Sequence, residues 1–381
     1  MPVFDQGYRN WHGERTGPGR RWWTIARWGC AIALKNKWVK FLVLAGIAPC
    51  LAFGIVLALW GFVEQQADWA VSFVRSATGL SEEVLPDLKA LRNIVWTFAF
   101  GVFMVSQTYY AFALVMMIGP DLISRDLRFN AIPLYLSRPL RRIDYFLGKL
   151  GVIGLLVASV IVAPAILAFA LGAAFSLDIS VVRDEFHLLL GCIEYGLIVV
   201  LSAGLLMLAM SSLSKNSRIC GAMWIGLLVI THGIGGGVYN ATGEKRWLAL
   251  SYPTLLWETC RHAIDTERAY KDVMDLQAKI EENAKRAAAL AGPFGGLLPR
   301  DTGGKNESKR RRGPNPHLAN QPPPGPDGVR RDRFGRPVGS PFEEAVKPQL
   351  PPALAYGALA GIALVSAWVL STRISSLDRL K

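Results

Sequence analysis

The chain has 381 residues, 51% of them hydrophobic, and its mean hydropathy is +0.28. These values are too apolar for a typical soluble domain and favour a protein whose helices lie in a membrane. The formal net charge of +13 does not indicate nucleic-acid binding, because Lys and Arg lie mainly beside apolar segments and no nucleic-acid-binding motif surrounds them. We therefore expect membrane lipid, and no nucleic acid, as a partner.

Residues 1–40 are predicted to form a cytoplasmic N-terminal segment that contains an amphipathic helix. Between Arg20 and Lys40, basic residues alternate with tryptophans and aliphatic residues. Tryptophan favours the membrane boundary and cations face anionic headgroups, so this helix would lie in the interface. The alternative is a plain basic flank of the first span. Because a polar, Arg-rich stretch precedes the first long apolar block, and that block exceeds a signal-peptide core, we expect the first span to remain in the mature protein.

Six apolar blocks have the length that an α-helix needs to cross the hydrocarbon, which is about 20 residues. A spanning segment must satisfy its own backbone hydrogen bonds, and a helix does so. The predicted fold is therefore an all-α, polytopic membrane helical bundle, with spans one to five in residues 41–239 and a kink at Pro164. The predicted spans are Phe41–Val63, Ile94–Ile118, Gly151–Phe175, Leu188–Met210, Ile219–Tyr239 and Pro352–Leu370.

Basic residues near the ends of spans indicate the orientation of the bundle. The N-terminal segment, the loop after span two, the link after span four and the C-terminal tail are rich in Lys and Arg. The loops after spans one and three are richer in Asp and Glu. This pattern predicts a multi-pass protein of the inner or plasma membrane with both termini in the cytoplasm. If the fifth block were re-entrant instead, the insert before the last span would lie in the cytoplasm.

The loop at residues 119–149 follows span two and combines acidic, basic and aromatic residues. Three prolines, Pro120, Pro133 and Pro139, restrict its backbone. A mixed-charge loop of restricted conformation suits a surface on which a partner protein docks.

Polar residues inside the predicted spans are candidates for an intramembrane site, because a polar group in hydrocarbon is costly. Glu194 in span four is one such residue, and Gln107 and Tyr109 in span two are others. The alternative for Glu194 is a position near the outer interface, where a carboxylate reaches water.

A long polar insert separates span five from span six. Within residues 240–291, the stretch Trp247–Ala263 is apolar but too short to span, which predicts a re-entrant or interfacial segment. Residues 266–291 carry apolar residues at heptad spacing and predict a helix capped by Asp265 or Thr266, serving either a coiled-coil contact or as a lone surface helix. Residues 292–351, rich in Pro, Gly and Arg, predict a disordered linker, and residues 352–381 the last span with a cytoplasmic tail.

Catalytic and metal-binding motifs are absent from the sequence. A P-loop requires G-x-x-x-x-G-K-[ST], and Gly148-Lys149 lacks the first glycine because Ile143 stands there. The five cysteines and five histidines show no zinc spacing. We therefore expect no enzyme activity, no metal and no cofactor in this chain.

The sequence of the loop resembles that of ABC-type transporter permeases of the type-2, or exporter, class. The similar residues are Leu122-Ile123-Ser124, Asp126, Tyr135-Leu136-Ser137-Arg138-Pro139, Arg141-Arg142 and Gly148-Lys149, together with Arg373-Ile374 after the last span. Asn130-Ala131 and the long insert depart from the family pattern.

The resemblance implies a permease subunit that pairs with a second permease half, as a homo- or heterodimer, and with an ATP-binding ABC subunit that holds ATP and Mg. It further implies that the loop couples ATP hydrolysis in that subunit to substrate movement. The coupling role is assigned to Ser124, Arg125, Asp126, Arg128, Ser137, Arg138 and Pro139. The alternative function is a membrane anchor that recruits partner proteins without transport.

Overall fold

The computed structural model of the chain describes residues 20–64, 88–136, 140–176, 180–290 and 346–378. Helices and their connections account for these residues, and no strand occurs among them. A π-helical turn, Val200–Gly204, joins α8 to α9, and a 3₁₀ turn, Lys245–Leu250, precedes α11. The helices are, in chain order, α1 (Arg21–Ala33), α2 (Lys37–Ala45), α3 (Ile47–Glu64), α4 (Leu88–Arg128), α5 (Ala131–Leu136), α6 (Arg142–Val160), α7 (Val162–Phe175), α8 (Ser180–Val199), α9 (Leu205–Leu213), α10 (Ser217–Thr242), α11 (Tyr252–Ala263), α12 (Thr266–Leu290) and α13 (Pro352–Asp378).

Six helical stretches within these ranges are long and apolar enough to cross a membrane, which confirms the predicted all-α polytopic bundle. Most of them extend beyond the predicted apolar blocks, because the helix continues into its polar flanks. The stretches are Lys37–Val63, Leu91–Arg128, Arg142–Phe175, Ser180–Leu213, Ser217–Thr242 and Pro352–Arg373.

The third span is interrupted at Ile161, between α6 and α7. Pro164 has no amide hydrogen, and its ring crowds the carbonyl of Val160 four residues earlier. α6 therefore ends at Val160, and Ile161 has φ −93° and ψ −60° before α7 begins. The kink predicted from Pro164 is confirmed.

Aromatic side chains and a glycine fill the core between α3, α4 and α7. Trp96 is 1% exposed and lies against Phe100 and Phe169, with ring centroids 6.1 and 5.6 Å away. A Cβ at Gly172 of α7 would lie 2.8 Å from the indole, so only glycine leaves room for this ring. Small residues at such contacts let helices in a membrane pack closely and hold fixed distances.

α1 packs along α6 through two glycines. A Cβ at Gly148 would lie 2.6 Å from the Ile25 side chain, and a Cβ at Gly151 would lie 2.8 Å from Ala26, which is fully buried. Trp28, on the other side of α1, is 67% exposed. One face of α1 is thus bound to the bundle and the other is left for lipid or water.

The prediction of a single amphipathic helix over residues 20–40 is wrong in one respect. The turn at residues 34–36 divides it into α1 and α2, and α2 continues almost directly into α3. Asn36 caps the start of α2, where its side chain accepts a hydrogen bond from the Trp38 amide at 3.0 Å.

Residues 346–350 are held against α11 by one buried carboxylate. Glu258 is 1% exposed and accepts hydrogen bonds from the amides of Gln349 at 2.6 Å and Leu350 at 3.2 Å, while Arg261 donates to it at 3.0 Å. The predicted disordered linker 292–351 is therefore too long at its C-terminal end, because these contacts order residues 346–350. Its earlier part, 292–345, lies outside the described residues.

The insert contains a short helix, α11, and a longer helix with a heptad pattern, α12. α11 has 12 residues, which is too few to cross a bilayer, as the length of the segment Trp247–Ala263 predicted. Whether α11 is re-entrant or interfacial in a membrane stays a prediction. α12 confirms the heptad-patterned helix, and Asp265 precedes it with φ 52°. α12 packs within the chain against α4, where Asn93 donates to Asp272 at 2.5 Å.

Candidate functional site

α4 passes through Pro120 without ending, so the prediction that a loop starts at residue 119 is wrong. Ser211 of α9 lies beside this turn, where its Oγ accepts hydrogen bonds from the amides of Ile123 at 3.1 Å and Ser124 at 3.0 Å. The same Oγ donates to the Pro120 carbonyl at 2.8 Å, and the Ser124 hydroxyl donates to that carbonyl too. A side chain from a second helix thus binds the backbone of the turn that begins at Pro120.

Asp126 connects α4 to α6. Its Oδ2 accepts a hydrogen bond from the Tyr145 hydroxyl at 2.7 Å and forms a salt bridge with Lys149 Nζ, also at 2.7 Å. The Asp126 and Lys149 side chains are only 14% and 15% exposed, so water screens this pair weakly. The carboxylate is therefore engaged within the chain.

The short helix α5 lies beside this ion pair. Asn130 forms the turn before it with φ 49°, and the rings of Tyr135 and Tyr145 lie 5.8 Å apart. Burial and the negative charge of Asp126 raise the pKa of the Tyr135 hydroxyl, which therefore stays protonated at neutral pH. α5 is thus attached to the start of α6 by aromatic contact.

An open basic groove lies between the end of α4 and the link from α9 to α10. Arg128 Nε donates to the Lys215 carbonyl at 3.1 Å, which closes one side of the groove. Among the described residues that line the groove, four are basic and one is acidic, so its charge is strongly positive. The lining residues are Asp121, Arg125, Arg128, Phe129, Lys215, Asn216, Ser217 and Arg218.

The predicted coupling residues fall into three groups. Ser124 is fully buried, and its hydroxyl and amide are used inside the bundle, so any coupling role of this residue stays a prediction. Asp126 is mostly buried in the salt bridge, whereas Arg125 and Arg128 are exposed in the basic groove. The remaining three, at positions 137–139, lie outside the described residues: Ser137, Arg138 and Pro139.

The predicted intramembrane polar residues do not share one site. Gln107 is fully buried on α4 and donates to the Gly46 carbonyl at 2.9 Å, whereas Tyr109 is 69% exposed. Glu194 is exposed on α8 and accepts a hydrogen bond from Tyr356, near the start of α13, at 2.9 Å. The interfacial alternative for Glu194 stays a prediction.

Sequence reasoning missed three residues of this region. Ser211 resembles any serine at the end of a membrane span, and no sequence pattern links it to Pro120. Lys215 and Arg218 were used only to predict which side of the bundle faces the cytoplasm. That they line one groove with Arg128 depends on how α4 and α9 pack. The polar pair Ser211-Ser212 at the end of an apolar block was the one available signal.

The fold and this region define a multi-pass membrane protein: a six-span helical bundle with a basic surface at the end of its second span. Residues 26–253, more than half of the chain, match the family described as ABC-2 family transporter protein. The chain belongs to this family and is an ABC transporter permease, a membrane transport component that associates with an ATP-binding ABC subunit. No curated protein and no solved structure matched the chain.

Proposed function

We propose that this chain is the membrane-spanning subunit of an ATP-driven exporter, in which a separate ABC subunit holds ATP and Mg and hydrolyses the nucleotide. The chain itself performs no catalysis. Both termini lie in the cytoplasm of a cell whose inner or plasma membrane the bundle crosses, and a second permease half, identical or related, completes the transport pathway. The observation that carries the proposal is the basic groove at the end of α4.

The groove has the properties of a docking surface for an acidic partner. Arg125 and Arg128 project from the last turn of α4, and Lys215 and Arg218 face them from the link between α9 and α10. Exposed charges of one sign accelerate association with a surface of the opposite sign and select against other partners. Phe129, 67% exposed, adds an apolar side chain to the lining of the groove.

The groove is also connected to several spans, as a coupling surface requires. The Pro120 turn joins α4 to α9 through Ser211, and the Asp126 carboxylate joins α4 to α6. Because close-packed helices move as units rather than deforming continuously, a displacement of Arg128 reaches the second, third and fourth spans together. Arg138 belongs to the same predicted docking region.

The test is to purify the chain with candidate ATPase subunits and to measure ATP hydrolysis in a reconstituted complex. We expect Arg128→Glu to weaken ATPase binding and to lower substrate-stimulated hydrolysis, because a negative charge in the groove repels an acidic partner. Arg138→Glu should act in the same direction. Arg246→Glu is the matched control, since Arg246 is exposed beside Glu244 and distant in sequence from the groove.

Two results would contradict the proposal. One is that no ATPase co-purifies with the wild-type chain. The other is that Arg128→Glu and Arg246→Glu have the same effect on ATP hydrolysis. A partner that binds while hydrolysis never responds to any transported compound would favour the membrane-anchor alternative instead.

A further inference from the structure

A cavity of about 300 Å³ lies between α4, α8, α10 and α11. α4 contributes Thr108, Tyr109 and Phe112 to its lining, and the three other helices contribute Tyr195, His232 and Trp257, respectively. This volume is at the lower end of the range for small-molecule sites, which is about 300–1,000 Å³. A whole phospholipid is far too large for it.

Aromatic rings and hydrogen-bonding side chains make up most of this lining, and no Asp, Glu, Lys or Arg is among the described residues that form it. A charged ligand would find no counter-charge there, and an unpaired charge in a poorly solvated site is costly. A flat aromatic ligand would stack on or contact the edges of the Tyr109, Tyr195 and Trp257 rings. The lining therefore selects uncharged aromatic molecules.

The hydrogen-bonding groups are held in place by neighbouring residues. The Thr108 hydroxyl donates to the Met104 carbonyl and lies 2.7 Å from the Tyr195 hydroxyl, so it meets a ligand hydroxyl as an acceptor. His232 Nδ1 lies 3.2 Å from Ser251 Oγ. Among the described residues, His232 Nε2 has no hydrogen-bond partner. The cavity thus offers oriented polar groups to a ligand hydroxyl without a large ordering cost.

Trp257 also lines a second, smaller cavity, of about 90 Å³, on the side of α11 that faces the start of α4. Gly101 of α4 lines this smaller cavity, and Val105, one turn later, lines the larger one. One face of α4 therefore borders both cavities, with Trp257 between them. Arg261 stacks on the Trp257 ring at 5.1 Å and restrains it.

We propose that the larger cavity binds the transported molecule, and that this molecule is an uncharged amphiphile with an aromatic ring system and at least one hydroxyl group. The inference rests on the proposed transport function. Tyr109 and Trp257 contact the ring system, and Thr108 and His232 bind the hydroxyl group.

The test measures binding of 1-naphthol to the full-length chain in lipid nanodiscs by equilibrium dialysis, with empty nanodiscs as the partition background. 1-Naphthalenesulfonate is the control ligand, because it has the same naphthalene ring with a negatively charged sulfonate in place of the hydroxyl group. Tyr109→Leu removes a ring from the cavity, and Tyr110→Leu is the matched control, because Tyr110 packs on the other side of α4 against the Val39 cluster. Leucine preserves apolar volume, and Tyr109 is 69% exposed, so both variants should fold.

We expect wild type and Tyr110→Leu to bind 1-naphthol equally, and Tyr109→Leu to bind it about fivefold more weakly, since an aromatic contact contributes about 1 kcal/mol. The sulfonate should not bind above background. The proposal is overturned if 1-naphthol does not exceed the empty-nanodisc background, if the sulfonate binds as well, or if the two leucine variants bind equally. These measurements need no ATPase, so their failure leaves the Arg128→Glu test of the proposed function intact.

Discussion

Asp126 and Lys149, the acidic residue and the final lysine of the loop motif, form a salt bridge of 2.7 Å between Oδ2 and Nζ. The contact brings the end of α4 against the second turn of α6. The glycine beside Lys149 has a separate role, because Gly148 allows α1 to approach α6. Two neighbouring motif residues thus attach two different helices to α6.

Asp126→Asn should lower the stability of the bundle by about 1–3 kcal/mol, because the variant loses the charge of a mostly buried, hydrogen-bonded ion pair. Thermal unfolding in nanodiscs measures this loss. Asp184→Asn is the matched control: Asp184 pairs with Arg183 at 3.5 Å on the surface, and its loss should change little. In a double-mutant cycle with Lys149→Met, strictly additive effects would contradict the direct interaction.

Ser211→Ala should destabilise the junction of α4 and α9 by about 1–3 kcal/mol, because the amides of Ile123 and Ser124 lose a buried acceptor. Ser212→Ala is the matched control, since within the described part of the chain the Ser212 hydroxyl donates only to the Ala209 carbonyl of its own helix, at 2.7 Å. Thermal unfolding compares the two variants. Equal losses would show that Ser211 does not support the Pro120 turn.

Glu258→Gln should destabilise the chain by about 3 kcal/mol, since it removes the carboxylate that faces the buried Arg261 guanidinium. Burial lowers the pKa of Arg261 and Glu258 opposes that effect, so the carboxylate stabilises the positive charge. We expect residues 346–350 to become sensitive to proteolysis as well. The control is Glu244→Gln at the exposed pair with Arg246, and a similar loss there would contradict the special role of Glu258.

Gly148→Ala should displace α1 from α6, because the new methyl group would lie 2.6 Å from the Ile25 side chain and 3.2 Å from the Trp22 carbonyl. Hydrogen exchange of α1 should increase, and thermal stability should fall. Gly357→Ala on α13 is the matched control, since no atom of another described segment lies within 4 Å of the added methyl group. If both variants behaved like wild type, the close packing of α1 against α6 at Gly148 would be contradicted.

The proposed orientation predicts that a cysteine replacing Asn306, in the insert, reacts with an impermeant thiol reagent from outside intact cells. Lys215→Cys, in the basic groove, should react only after the membrane is opened. Background labelling should be low, because burial raises the pKa of Cys30 to about 11 and that of Cys260 to about 12, while Cys50, Cys192 and Cys220 are buried. The reverse labelling pattern would invert the topology.

The sequence was sufficient for features that depend on composition along the chain. A bilayer requires about 20 apolar residues per helix, so six such blocks predict six spans. Pro164 indicated the break in span three because its effect on the helix is local. The heptad pattern indicated α12 for the same reason.

The sequence was insufficient where one helix meets another. Pro120 predicted the end of a helix by its local effect, but α4 continues through it, and Ser211 of another helix binds the turn that follows. Ser124 appeared suited to a partner contact, but the same junction buries it completely. The contacts at the Pro120 turn and the burial of Ser124 both involve a helix that is distant in sequence.

The sequence by itself thus determined the membrane class, the number of spans and the position of the loop motif, because hydropathy and length are properties of each segment alone. Only the tertiary structure decided which polar residues are accessible and which are engaged inside the bundle. The physical reason is that a membrane helix is apolar on every side, so its pattern does not reveal which face packs against a neighbour. Asp126 and Arg128 stand two residues apart, and helix packing alone gives the first to an internal salt bridge and the second to the surface.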